Sequence, residues 1–359
     1  VPVVDAHCHL IFPHYHQHEL ERVLSLSLEE LPPDQLRASL LYKRILGELA
    51  VLWWGDLGRA DQVPAEREAR MRADYVGYVR ALFREARIEG MVVDLGYRPA
   101  AVPLEEFERV VPTDVVYVFR VESVLDELWR EHGSFTAAEE HFRAVLDDAL
   151  AGDHVGLKTI IGYRTGLDIR WVSRDQARIA WAQSDEKTVR DYFTAVAVEK
   201  CRQYGCPLQI HTSFGESNID LRENNPLHLK AFLERDDVRA IPVVLVHGGY
   251  PYSFEAGYLS AMYPNVYVDL SEGIPWVTLE TEAILRRVLS IAPLNKVMFG
   301  SDGFIVPEIA WVAAKMMKES LGRVMAEMVE GKFLRPGEAE EIAADILGRT
   351  ARGLFGIQI

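Results

Sequence analysis

His7, His9, His211, His247 and Asp302 are the residues of this 359-residue chain whose types and spacing could do chemistry together. The first two stand in VDAHCHL, residues 4–10. In an extended strand, side chains two apart share a face and lie about 7 Å apart along the chain, at ~3.3 Å per residue. Both imidazoles can then reach one ion while Cys8 turns the other way. A lone His-x-His is as much at home on an edge strand, so it needs partners. Candidates close three further apolar runs: His211 in LQIHTSFGE, His247 in VVLVHGGYP and Asp302 in VMFGSDGF. Singly, each reads as a satisfied core residue. Together they form a nitrogen- and oxygen-rich set suited to a divalent metal, Zn²⁺ first, with Mn²⁺, Fe²⁺ or Co²⁺ as alternatives.

Such a set needs strand ends that converge, and the chain supplies them. Short apolar runs bounded by turn residues recur at 1–7, 90–96, 115–121, 155–161, 207–212, 242–247, 266–270 and 296–301. Their continuous Val, Ile and Leu character suits strands buried on both faces of a parallel sheet. Helical patterns lie between most of them. In 186–204, Val189, Phe193, Val196 and Ala197 make one stripe, and Gly205 stands where a helix ends. Eight strands alternating with helices imply the α/β class and a (β/α)8 TIM barrel, with catalytic residues at the C-terminal strand ends. Residues 10–89 are too long for one crossover and read as a helical insertion after the first strand. Segments 307–331 and 336–355 read as extra C-terminal helices, and 1–359 as a single barrel domain.

Composition narrows the partners. Apolar residues make up 49% and charged residues 26% of the chain, and 39 basic against 54 acidic residues give a net charge of −15. That balance argues against nucleic-acid binding, which favours a basic patch. No apolar stretch approaches the ~18 residues of a membrane span. Cys8, Cys201 and Cys206 form no even-numbered disulfide framework, so a cytoplasmic location is expected. A small-molecule substrate is the expected partner; assembly into a homo-oligomer is left open.

His-x-His on strand 1, His on strands 5 and 6 and Asp on strand 8, in that order, resemble the amidohydrolase superfamily. VHGGYP and FGSDGF are most similar to its "amidohydrolase 2" branch, and GLKTIIGYRTGLDI resembles amidohydrolase modules fused to glutamine-synthetase-like domains. The resemblance implies that His7, His9 and His211 are metal ligands. It makes Asp302 both a ligand and the general base that deprotonates the attacking water, with His247 orienting or polarising the substrate. Some superfamily members carry a carboxylated lysine on strand 4 that bridges two metals. Lys158 is the matching position, but one ion with an uncarboxylated Lys158 is the expected state.

Substrate residues are expected from the same strand-end logic. Arg120 and Glu122 close strand 3, Tyr163 and Arg164 come after strand 4, and Asp94 and Asp269 close strands 2 and 7. Arginine forks suit a substrate carboxylate, although pairing of Arg120 with Asp94 or Glu122 inside the protein weighs equally. His14, His16 and His18 read as surface, and Trp53 and Trp54 as packing. The leading function is hydrolysis of a C–N or C–O bond (amide, lactone or ester) in a small, carboxylate-bearing substrate. Metal-dependent non-oxidative decarboxylation is the alternative, and a catalytically silent binding or signalling module comes third.

Overall fold

The computed structural model describes residues 1–17, 20–97 and 102–358. Eight strands form one parallel sheet: β1 (Val3–Cys8), β2 (Ile88–Asp94), β3 (Asp114–Arg120), β4 (His154–Thr159), β5 (Leu208–His211), β6 (Val243–Val246), β7 (Val266–Asp269) and β8 (Val297–Met298). They pair in sequence order, and each expected run overlaps one of them. Backbone bonds beyond β8 close the ring: the Ala6 amide donates to the Phe299 carbonyl at 2.9 Å, and the Asp302 amide to His7 at 2.9 Å. The fold is a (β/α)8 barrel.

Inside the barrel, Val4, Ala6, Val92, Val118, Val244, Val246 and Met298 form a cluster with Ala351, Phe355 and Ile357. The C-terminal helix thus plugs one end. Gly90 permits this approach, since a Cβ there would sit 3.2 Å from both Ile357 and Val4. The plugged end leaves the opposite one, where the strands finish, for chemistry.

Between β1 and β2 the chain is helical, with α1 (Leu40–Trp54), α2 (Val63–Ala73) and α3 (Tyr75–Ala86) preceded by two shorter helices. Farther on, α4 (Glu186–Tyr204) ends at Gly205 with φ 68°, and α5 (Pro307–Glu330) comes after the last strand. A buried ion pair ties the inserted helices to α5: Arg67 of α2 meets Glu308, which also accepts from the Tyr78 hydroxyl of α3 at 2.7 Å. Trp53 packs against the core, and the guanidinium of Arg59 lies 3.9 Å over the Trp54 ring. His14 and His16 are exposed, while His18 lies outside the described residues. No described helix is long and apolar enough to cross a membrane.

Candidate active site

His7, His9, His211, His247, Lys158 and Asp302 line one cavity of about 530 Å³ at the C-terminal ends of the strands. Each histidine is held from behind by a group that fixes its tautomer. The Nδ1 of His7 lies 2.9 Å from Oε1 of Gln209, whose own amide nitrogen donates to the Ala6 carbonyl at 3.0 Å. Gln209 Oε1 is therefore an acceptor, His7 carries its proton on Nδ1, and Nε2 is bare. His9 Nδ1 faces the Asp94 carbonyl at 3.0 Å, which likewise leaves Nε2 bare. For His211 the carbonyl of Phe214, 3.1 Å away, takes Nε2–H instead, so Nδ1 keeps its lone pair. Ser271 donates its hydroxyl to Asp269 and stands 3.0 Å from Nδ1 of His247. That hydroxyl must then accept from Nδ1–H, and the His247 Nε2 is bare as well. Burial holds the imidazole of His7 down to about 4 and those of His211 and His247 well below their ordinary range. The rings of these three are neutral.

Asp302 turns a carboxylate toward these nitrogens. Its Oδ1 lies 3.3 Å from Nε2 of His7 and 3.2 Å from Nε2 of His9. Burial pushes this carboxyl up, and only protons on the neighbouring imidazoles would pull it down; with the facing Nε2 atoms bare, a cation has to do so instead. Three acceptor atoms with no proton among them therefore converge. Such a cluster is repulsive unless a cation sits between its members. Ligand atoms 2.0–2.2 Å from a tetrahedral ion stand about 3.3–3.6 Å apart, so the donor set and its spacing fit a divalent metal.

Among the described residues the ligand atoms form three overlapping groups, the first being His7, His9 and Asp94. His7, His247 and Asp302 lie within 4.8 Å of one another, and so do His211, His247 and Glu272. His211 shares a group with His247 and Glu272, its ring 4.4 Å from that of His247. Lys158 is buried with its Nζ 3.4 Å from Nε2 of His7, and burial lowers its ammonium to about 8. Three site residues adopt left-handed backbone that non-glycine residues avoid: His247 at φ 74°, Glu272 at φ 57° and Asp302 at φ 54°.

Glu272 did not figure among the expected residues. Buried at 2% exposure just past β7, it lines the cavity with its Oε2 3.7 Å from Nδ1 of His247. Burial, then Asp302 and Glu216, push its carboxyl well above the usual range. Glu216 also lines the cavity and accepts from the Tyr163 hydroxyl, which crosses so close to Gly215 that a Cβ there would collide with it. The insertion supplies a wall through Val23, Ser25, Leu26 and Leu28. It is fastened by Trp276 Nε1 donating to the Leu24 carbonyl at 2.9 Å and by the Leu28 amide donating to Ser217 Oγ at 3.2 Å.

Residues 4–357 match the family described as Amidohydrolase. The chain belongs to the amidohydrolase family. Protein fluG of Emericella nidulans is 27% identical to this amidohydrolase over 401 aligned residues, covering 99% of the chain and 45% of fluG. The chain therefore spans less than half of that relative. A solved structure described as a metal-dependent hydrolase of Lactobacillus casei ATCC 334 superposes with a TM-score of 0.88 at 24% identity, over 99% of this chain and 95% of the other. The uronate isomerase of Thermotoga maritima superposes with a TM-score of 0.68 at 14% identity, over 99% and 94%. At these identities the two structures speak for the fold. The amidohydrolase is an enzyme of this superfamily with a candidate His/Asp metal site.

Of the expected substrate residues, Arg120, Tyr163 and Arg164 line the cavity of this amidohydrolase. Glu122 does not: it is buried beside β4, accepting from the Thr159 hydroxyl at 2.6 Å. Arg120 lies along Gly96 and gives Nε to Asp94 Oδ2 at 2.9 Å, with Asp94 fully buried. Arg164 reaches Asp126 Oδ2 at 2.8 Å, and Arg190 takes Oδ1 of the same carboxylate at 2.7 Å. The two arginines should therefore differ in unfolding experiments. Arg120→Met strands a buried carboxylate and is expected to cost about 3–5 kcal/mol. Arg164→Met leaves Asp126 its second partner at a partly exposed site, for a loss of about 1 kcal/mol or less. Urea titration of both variants checks the contrast.

Proposed function

We propose that this amidohydrolase is a metal-dependent hydrolase that activates water to cleave a C–N or C–O bond of a small, carboxylate-bearing substrate. The convergence of Asp302 Oδ1 with the bare Nε2 atoms of His7 and His9 carries this reading. A divalent cation held there supplies Lewis acidity, polarising a carbonyl and acidifying water toward neutral pH. The chain does the rest. His7 and His9 hold the cation, joined by His211 or His247. Asp302, kept ionised, accepts the proton of the attacking water and hands it to the leaving group. His247, locked through Ser271 and Asp269, offers a lone pair to the cation or to a substrate N–H or O–H. Arg120 and Arg164, although each is paired with an aspartate, bring guanidinium N–H donors to the cavity wall for a carboxylate.

In this reading the ion is zinc, one per chain, and Lys158 remains an amine. The barrel and its 10–89 insertion fold as one unit, joined by Arg67 and Glu308. Buried thiols at Cys8, Cys201 and Cys206 suit the reducing cytoplasm. The test is to incubate the zinc-loaded protein with amides, lactones, esters and aromatic carboxylates, tracking acid release and CO₂ separately. Acid release without CO₂ supports hydrolysis. CO₂ release assigns the decarboxylase alternative instead, and no turnover of any class leaves a binding module.

A further inference from the structure

Glu272 sits among like charges. Its side chain is buried at 2% exposure, it lines the cavity, and its Oε2 has no hydrogen-bond partner among the described residues. Nδ1 of His247 lies 3.7 Å away, and its N–H is already committed to Ser271. Asp302 and Glu216 act on it as neighbouring carboxylates, and their push outweighs the opposing pull of the Lys158 ammonium. Its backbone, at φ 57° and ψ −54°, lies outside the conformations that a glutamate adopts at no cost. A buried carboxylate oxygen without a donor, on a strained residue facing a cavity, is poorly explained as scaffolding. A ligand N–H that also carries positive charge would answer both its hydrogen-bonding need and its electrostatic one.

We propose that Glu272 binds a cationic N–H group of the substrate, an ammonium in the simplest case. The substrate class narrows accordingly to small molecules bearing both a carboxylate and an amine. Topology agrees: β7, which Glu272 follows by three residues, stands four strands round the ring from β3, which ends at Arg120. The two charges of a zwitterion can therefore be read from opposite sides of the mouth. The inference rests on the hydrolase reading for the carboxylate pole, but its test needs no turnover.

Zinc-loaded protein is titrated calorimetrically with amino acids whose amine sits on successive carbons, from glycine to 6-aminohexanoate, each against the matching unsubstituted carboxylate. At least one amino acid should bind about 10- to 100-fold more tightly than its partner, as befits a charge-assisted bond in a buried site. Glu272→Gln should erase that preference with zinc content and carboxylate affinity retained, and Glu272→Asp should keep part of it. Equal or absent binding of every pair in the wild type overturns the proposal, as does a preference that survives in Glu272→Gln. Loss of zinc from Glu272→Gln overturns it too, because Glu272 is then a metal ligand. Failure of the hydrolase reading looks different: no acid is released in the substrate panel while the amine preference stands.

Discussion

Replacing His7 and His9 together with Ala brings metal content to background and removes turnover with it. Both bare nitrogens that face Asp302 Oδ1 disappear in that variant, which leaves too few ligands beside the carboxylate for a tight site. A graded control comes from Gln209, which touches no substrate but fixes the His7 tautomer from behind. Gln209→Leu should weaken metal affinity by about 10- to 100-fold, the range for groups that orient a ligand. Elemental analysis of dialysed protein reads both. Undiminished metal in the double variant would put the ion elsewhere.

Asp302→Asn should separate metal binding from catalysis. The amide keeps an oxygen near His7 and His9 but cannot take a proton from water. Turnover should fall by about 10²- to 10⁴-fold, the usual contribution of a general base, while much of the metal stays. Because a cation bound beside it would hold the Asp302 carboxyl ionised, its loss should not simply move an acid limb into the neutral region. The rate should drop across the whole profile, from about pH 6 to about pH 9. A variant with near-wild-type kcat would remove Asp302 from the proton path.

The barrel was legible because its strands are written as uninterrupted Val- and Ile-rich runs, and each run ended at the residue that mattered. His211, His247 and Asp302 could be found simply by inspecting the C-terminal edge of each apolar stretch. The residues that escaped lie where that rule stops. Glu272 stands three residues beyond Asp269 in DLSEG, in a two-residue extended segment outside the barrel sheet, with left-handed backbone. Gln209 was within reach, since it shares a strand face with His211 two residues on. The wall from Val23 to Leu28 had no local signal, because the path of an 80-residue insertion across the mouth depends on tertiary bonds such as Trp276 to Leu24. The arginines were legible as residues but not in their pairing. Asp126, the partner of Arg164, lies inside a helix that no strand-end argument inspects.

The left-handed torsions at His247, Glu272 and Asp302 bear on how this chain can change over generations. Each costs about 1–3 kcal/mol, against a net stability of only about 5–15 kcal/mol for a typical protein. The mouth of the barrel therefore draws down the reserve that lets a protein absorb neutral substitutions. Part of that reserve is the packed floor, where Ala351, Phe355 and Ile357 meet Val4, Val92 and Val244. Tolerance to mutation is thus unevenly distributed. A small cavity opened at the plug lowers the ceiling for every later change at the mouth, so new substrate specificities should arise more readily in lineages whose barrel floor is best packed.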